Sequence, residues 1–436
     1  MVIMKKFIYI LSAVIGFMAT AQQTPAPATD KAYTIMNATA HIGNGDVIEN
    51  SIIVIQKGKI TTVADATTVK MALPAHGEII DASGMHVYPG IIACNTTLGL
   101  VEIDAVKASD DDREIGTFNP HIRSLIAYNA ESRVVETMKP NGVLIAQVVP
   151  RGGRISGLSS VVQMDAWNWE DAAVRVDDGV HINWPRTFTR SGSWYEPGPI
   201  IPSKNYDKQV EELTQFMTGT RAYNGATQKD LKYAALQQVL VGNTTAYIHV
   251  NGEKAIRDVL AFIKEQGLKK VVLVGARGAQ NVTKELVAMN IPVLAGRVHD
   301  LPARDDADYD MPYKFPKLLS DAGVMVALEN SGDMERHQAR NFPFYAGHTI
   351  GFGMSPEKAL QLVTLNAATV LGIDKDYGSL EQGKSATLFI SKGNALDMRG
   401  NQLTRAFIDG RDTSLNTRQK DLNDRYMEKY ETQKNE

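Results

Sequence analysis

The residues best suited to chemistry in this 436-residue chain are nine histidines, one cysteine and 49 carboxylates. Imidazole and carboxylate together form the donor set that zinc and similar divalent ions take. A lone Cys94 excludes an intrachain disulfide and the zinc sites built on three or four thiolates. Other chemistries lack their signatures. There is no G-x-S-x-G elbow, and Gly383-Lys384-Ser385 lacks the rest of a phosphate-binding loop. Asp110-Asp111-Asp112 lacks the ligand order of an EF-hand and reads as a solvated loop. With 46 basic residues against 49 acids the net charge is −3, which gives no electrostatic case for nucleic-acid binding.

A second cluster of useful residues is Arg151-Gly152-Gly153-Arg154 followed by Trp167, Trp169, Trp184 and Trp194. All four tryptophans of the chain fall within Pro150–Pro202. Arg151, Arg154 and Trp167 would suit a carboxylate ligand with an apolar or aromatic part. The alternative is an ordered insertion whose tryptophans pack against the rest of the protein.

Strands and helices must position these groups. Tyr33–Asp81 is a run of short β-like segments, and Ala386–Ile390 and Leu403–Ile408 form a matching set. Each set is short for an independent sheet, so residues 33–85 and 379–413 are expected to pair into one composite β-sandwich domain. Between them, strand-like runs alternate with helical spacing: Gly142–Val148, Thr245–His249, Lys269–Val274, Ile291–Leu294 and Val324–Leu328 are the strands. This α/β pattern predicts a (β/α)8 TIM-like barrel over 86–378, with a doubly wound sheet as the other arrangement. In a barrel the C-terminal strand ends carry function. That rule selects Asn95, His249, Gly275 and the segments 295–299 and 329–333. Strand alternation turns Cys94 away from Asn95.

The chain ends read differently. Lys5 and Lys6, the apolar run Phe7–Met18 and Ala19-Thr20-Ala21 resemble a cleaved signal peptide over 1–21. Export to the periplasm or medium follows, without a membrane anchor after cleavage. Residues 22–32 read as a Pro/Ala/Thr-rich linker, and 414–436 as an exposed charged helix.

Four stretches resemble the amidohydrolase superfamily, in its imidazolonepropionase-like and deacetylase-like branch: Asp81–Leu98, Tyr247–Ile256, Val271–Gly296 and Ala359–Leu388. The last combines Thr364-Leu365-Asn366, Leu371-Gly372, Gly378-Ser379-Leu380 and Gly383-Lys384. The resemblance implies a divalent metal that lowers the pKa of a bound water and polarises the scissile carbonyl of a C–N bond. It also implies where the ligands belong. The first-strand His-x-His positions here read Asn95 and Thr97, the fourth-strand carboxylate position reads Asn183, the sixth-strand histidine reads Gly275, and the eighth-strand aspartate reads Ser331. Only His249, on the fifth strand, keeps a donor. One histidine does not hold zinc against water.

Three functions are then open. One is a pseudo-hydrolase that binds a small molecule and needs no cofactor. Another is a working hydrolase with a site rebuilt around His249, His299 and Asp333, holding zinc or another divalent metal. The third is a non-catalytic subunit, in a homo-oligomer or with a related catalytic amidohydrolase. Cys94, His121, Glu329, His337 and His348 are the other polar groups that could join a rebuilt site, and none has a spacing that specifies a metal. His181 is placed in the 150–202 insertion.

Overall fold

The computed structural model describes residues 24–70, 74, 76–193, 195–225, 229–302, 306–332 and 334–435. The signal-like segment, Trp194 and Asp333 lie outside the described residues.

Eight strands form a near-closed barrel: Ile91–Thr96, Val143–Val148, Ile155–Gln163, Ala173–Asn183, Thr245–Val250, Val271–Gly275, Val293–Ala295 and Val326–Leu328. A parallel bridge between Cys94 and Glu329 joins the first strand to the eighth. A separate sheet combines Tyr33–His41, Val47–Gln56, Lys59–Asp65, Glu78–Asp81 and His86–Pro89 with Leu388–Ser391, Leu403–Ile408 and Arg411–Thr413. The two ends meet where Leu388–Ser391 pairs antiparallel with His86–Pro89. Ile35, Ile53, Ile55, Ile60, Leu388 and Phe407 fill its core. The α/β fold of barrel plus composite β-domain is thus the one the sequence predicts.

Two features of 150–202 differ from expectation. The segment is not an insertion, because it carries the whole of the third and fourth barrel strands. The third strand also runs backwards, antiparallel to both the second and the fourth. Its connection to the second strand is therefore a short turn at the barrel mouth, and that turn holds Arg151 and Arg154.

Local sequence sets the remaining elements. In the helix Glu253–Gln266, the residues Ala255, Ile256, Val259, Leu260 and Ile263 recur at helical spacing and are buried, and Gly267 ends the helix in the left-handed conformation. Asp230 caps Leu231–Val241 through the backbone N–H groups of Lys232 and Tyr233. The chain from Pro356 to Leu371 forms two helices, Pro356–Gln361 and Leu365–Leu371, because Thr364 leaves helical geometry between them.

Candidate functional site at the barrel mouth

Asn95 sits at the end of the first strand with φ of +54°, and the pairing of that strand with the second is irregular between Ala93 and Thr96. This left-handed step breaks strict alternation. Cys94 faces into the barrel with Ile92, Ile145, Tyr247, Val274 and Leu294, while the next side chain, Asn95, reaches across to the eighth strand. The expected outward turn of Cys94 is corrected by that bulge. Burial raises the thiol's pKa, with Asp178 and Glu329 adding to the rise.

Arg151 lies against this bulge. Its Nη1 donates to Asn95 Oδ1 at 2.7 Å, and its Nη2 to Asn95 O at 3.0 Å and to Glu335 Oε1 at 2.7 Å. Glu335 opens the short helix Glu335–Gln338 and accepts from the Gly332 N–H at 2.9 Å. Behind them, Glu329 is buried with both oxygens engaged. Oε1 accepts from Ser331 Oγ at 2.9 Å, and Oε2 from Ser331 N at 2.6 Å and Asn95 Nδ2 at 2.8 Å. Burial raises the Glu329 carboxyl, partly offset by these bonds.

The fourth and fifth strands lie in parallel register, and their inward histidines meet: His181 Nδ1 is 2.8 Å from His249 Nε2. One ring nitrogen donates and the other accepts. The His181 ring stacks on Tyr247 at 4.7 Å, and Tyr247 OH donates to Asp178 Oδ2 at 2.9 Å. Asp178 also accepts from Gln147 Nε2 at 2.8 Å and Ser159 Oγ at 2.7 Å. Gly179 makes room for this column, since a Cβ there would lie 2.1 Å from the Tyr247 ring. Burial, helped by the nearby Arg151 guanidinium, pushes His249 down to about 3. Burial, His249 and Arg151 also hold His181 well below the usual histidine range. Both imidazoles are neutral at pH 7.

Above this floor opens a cavity of about 740 Å³. Arg151 and His249 line it, with Arg113, Arg186, Asn183 and Ser331. The other residues singled out from sequence are elsewhere or differently engaged. Arg154 Nη1 donates to the Asn183 carbonyl at 2.6 Å and does not line the cavity. Trp167 is 61% exposed and also off the cavity, so it joins neither arginine there. Trp184 is buried and donates to Tyr206 OH at 3.0 Å, a packing role. His299 packs edge-on against Tyr345 and His348, outside the lining, and His348 Nδ1 is 2.7 Å from the Phe344 carbonyl. His121 and His337 are likewise absent from the lining. Gly275 has φ of +79° and no side chain to offer. His181 was missed as a site residue because it sat in the misread segment. Glu335, Arg113 and Arg186 carried no signal beyond their charge.

The sequence model of the Amidohydrolase family matches residues 211–417. That match spans just under half of the chain, and together with the barrel it makes the chain similar to the amidohydrolase superfamily. It is 28% identical to the imidazolonepropionase of Flavobacterium psychrophilum over 173 residues, 38% of this chain and 40% of that protein. It is 21% identical to the imidazolonepropionase of Fusobacterium nucleatum over 376 residues, 81% of this chain and 88% of that one. An amidohydrolase structure from Thermotoga maritima superposes with a TM-score of 0.73 at 21% identity, covering 87% of this chain and 99% of that one.

The superfamily's metal does not fit the residues present. Among the described residues no three His, Cys, Asp or Glu side chains come together in a way that could hold an ion. His249 Nε2 faces His181, both Glu329 oxygens are taken, and the Arg151 guanidinium already brings a positive charge between Asn95 and Glu335. A divalent cation there would meet like charge and too few donors.

Proposed function

We propose that this amidohydrolase-fold protein is a pseudo-hydrolase, binding a small molecule at the barrel mouth without the family's metal chemistry. The observation that carries the reading is the Arg151 guanidinium, hydrogen-bonded to Asn95 at the first-strand end and to Glu335. A fixed organic cation occupies the neighbourhood in which metal ligands would be needed, and its partners neutralise it. The polar cavity above it has the size of a small-molecule site.

The reading includes export. The basic, apolar and small-residue regions of 1–21 support it, and no described helix is long and apolar enough to cross a membrane. A second reading, the supporting subunit, draws on the terminal helix Arg418–Asn435, where Tyr426, Met427 and Tyr430 are exposed.

Native mass spectrometry of the protein purified from its own host tests all three. The expected species begins at Gln22 and carries no stoichiometric metal. Arg151→Met should lower the unfolding free energy by about 3 kcal/mol, because it strands the Glu335 carboxylate and the Asn95 carbonyl. Stoichiometric zinc or another divalent ion, with hydrolytic activity lost together with it in His249→Ala, would overturn the pseudo-hydrolase reading in favour of a rebuilt site. A chain that is monomeric in every spectrum would remove the subunit reading.

A further inference from the structure

Resting on the pseudo-hydrolase reading, we infer that the mouth cavity takes a small carboxylate, with Arg186 as its anchor and a neutral polar group of the ligand toward His249. Among the described residues, the cavity wall contains three carboxylates and three arginines. Each carboxylate already has a cation. Asp112 takes Arg113 at 3.0 and 3.2 Å, Glu335 takes Arg151 at 2.7 Å, and Asp104 pairs with Arg336 behind the wall. Arg186 is the lining cation left without an ion pair among the described residues.

It stands three residues beyond Asn183, the end of the fourth strand. Its backbone is anchored nearby: the Trp184 N–H donates to the His249 carbonyl at 3.0 Å, and the Trp184 ring is buried. The side chain itself is exposed. One uncompensated guanidinium matches one negative charge, and its planar fork matches a carboxylate. A phosphate dianion would leave a charge unpaired.

Among the described residues, the floor offers no second uncompensated charge, because Arg151 and Glu335 neutralise each other. His249 is neutral, and Thr97, Ser331 and Asn183 present neutral polar groups, so the remainder of the ligand should be uncharged and hydrogen-bonding. Val101, Pro150 and Met334 supply the apolar wall.

Calorimetric titration of the purified mature protein tests this with N-acetylmethionine, its primary amide and inorganic phosphate. The expected result is binding of the acid, none of the amide or phosphate within the same range, and affinity about tenfold weaker in Arg186→Gln. Arg186→Gln removes an exposed side chain, so its fold, checked by circular dichroism, should be unchanged. Equal binding of acid and amide, tighter binding of phosphate, an unaffected Arg186→Gln, or no binding of the acid at millimolar concentration would each overturn the carboxylate inference. None of these touches the pseudo-hydrolase reading, which falls only on stoichiometric metal with activity.

Discussion

At the scale of residues, the two inward histidines store an acid sensitivity. In the folded protein His249 is pushed down to about 3, whereas an unfolded histidine titrates near its ordinary value of roughly 6.5. Between those limits the unfolded chain binds a proton that the folded chain refuses. Stability is therefore full above pH 6.5 and falls as the pH falls below it. His181 acts in the same direction. Glu329 acts in the opposite one: its raised carboxyl favours the fold at low pH, and that contribution is lost as pH rises. In urea unfolding, each neutral histidine should account for about 1 kcal/mol of the loss between pH 7 and 5.5. His249→Gln should lose correspondingly less over that interval than the native protein. Parallel pH profiles for the two would show that His249 titrates normally in the fold.

At the scale of elements, the fourth strand is fixed by one missing side chain. Gly179 pairs with Thr245 and lies against the Tyr247 ring, the base on which His181 stacks. Gly179→Ala places a methyl where the ring already is and should destabilise by about 2–3 kcal/mol in thermal or chemical unfolding. A variant as stable as the parent would mean that Tyr247 moves aside freely. This strand also shows why part of the site escaped the sequence. The fifth to eighth strands are apolar runs followed by helical spacing, and their ends, including His249, were legible. The third and fourth carry Ser156, Ser159, Ser160, Gln163, Asp177 and Asp178 among their apolar residues, with no full crossover helix between them. Polar groups that face one another inside a barrel look like loop residues one at a time. The bulge at Asn95 was equally hidden, because a left-handed asparagine leaves no mark in a strand-like run.

At the scale of the whole molecule, the composite β-domain was legible from two incomplete sets of strands, each needing the other. The ion pair that ties it to the barrel was not. Asp165 and Lys139 are almost fully buried, 2.7 Å apart. Asp165 also accepts from the Ala26 N–H at 2.8 Å and from Arg411 Nη1 at 3.2 Å, so it joins the first described residues, the barrel and the last strand of the β-domain. Lys139→Met should cost about 3 kcal/mol in chemical unfolding, the low end for a broken buried pair because Arg411 remains. No change in the midpoint would mean that Arg411 alone compensates the carboxylate.

The backward third strand also changes the entropy of assembling the barrel. Val148 meets Ser160 across twelve residues, whereas Ile91 meets Val143 across 52. Loop closure is cheaper for the shorter span by about 1.3 kcal/mol. The second, third and fourth strands thus form a locally connected meander, while the parallel strands wait on longer-range encounters. Arg151 and His181 both belong to that meander. The groups that now stand in and behind the mouth therefore come from the part of the barrel whose contacts are most local in the chain.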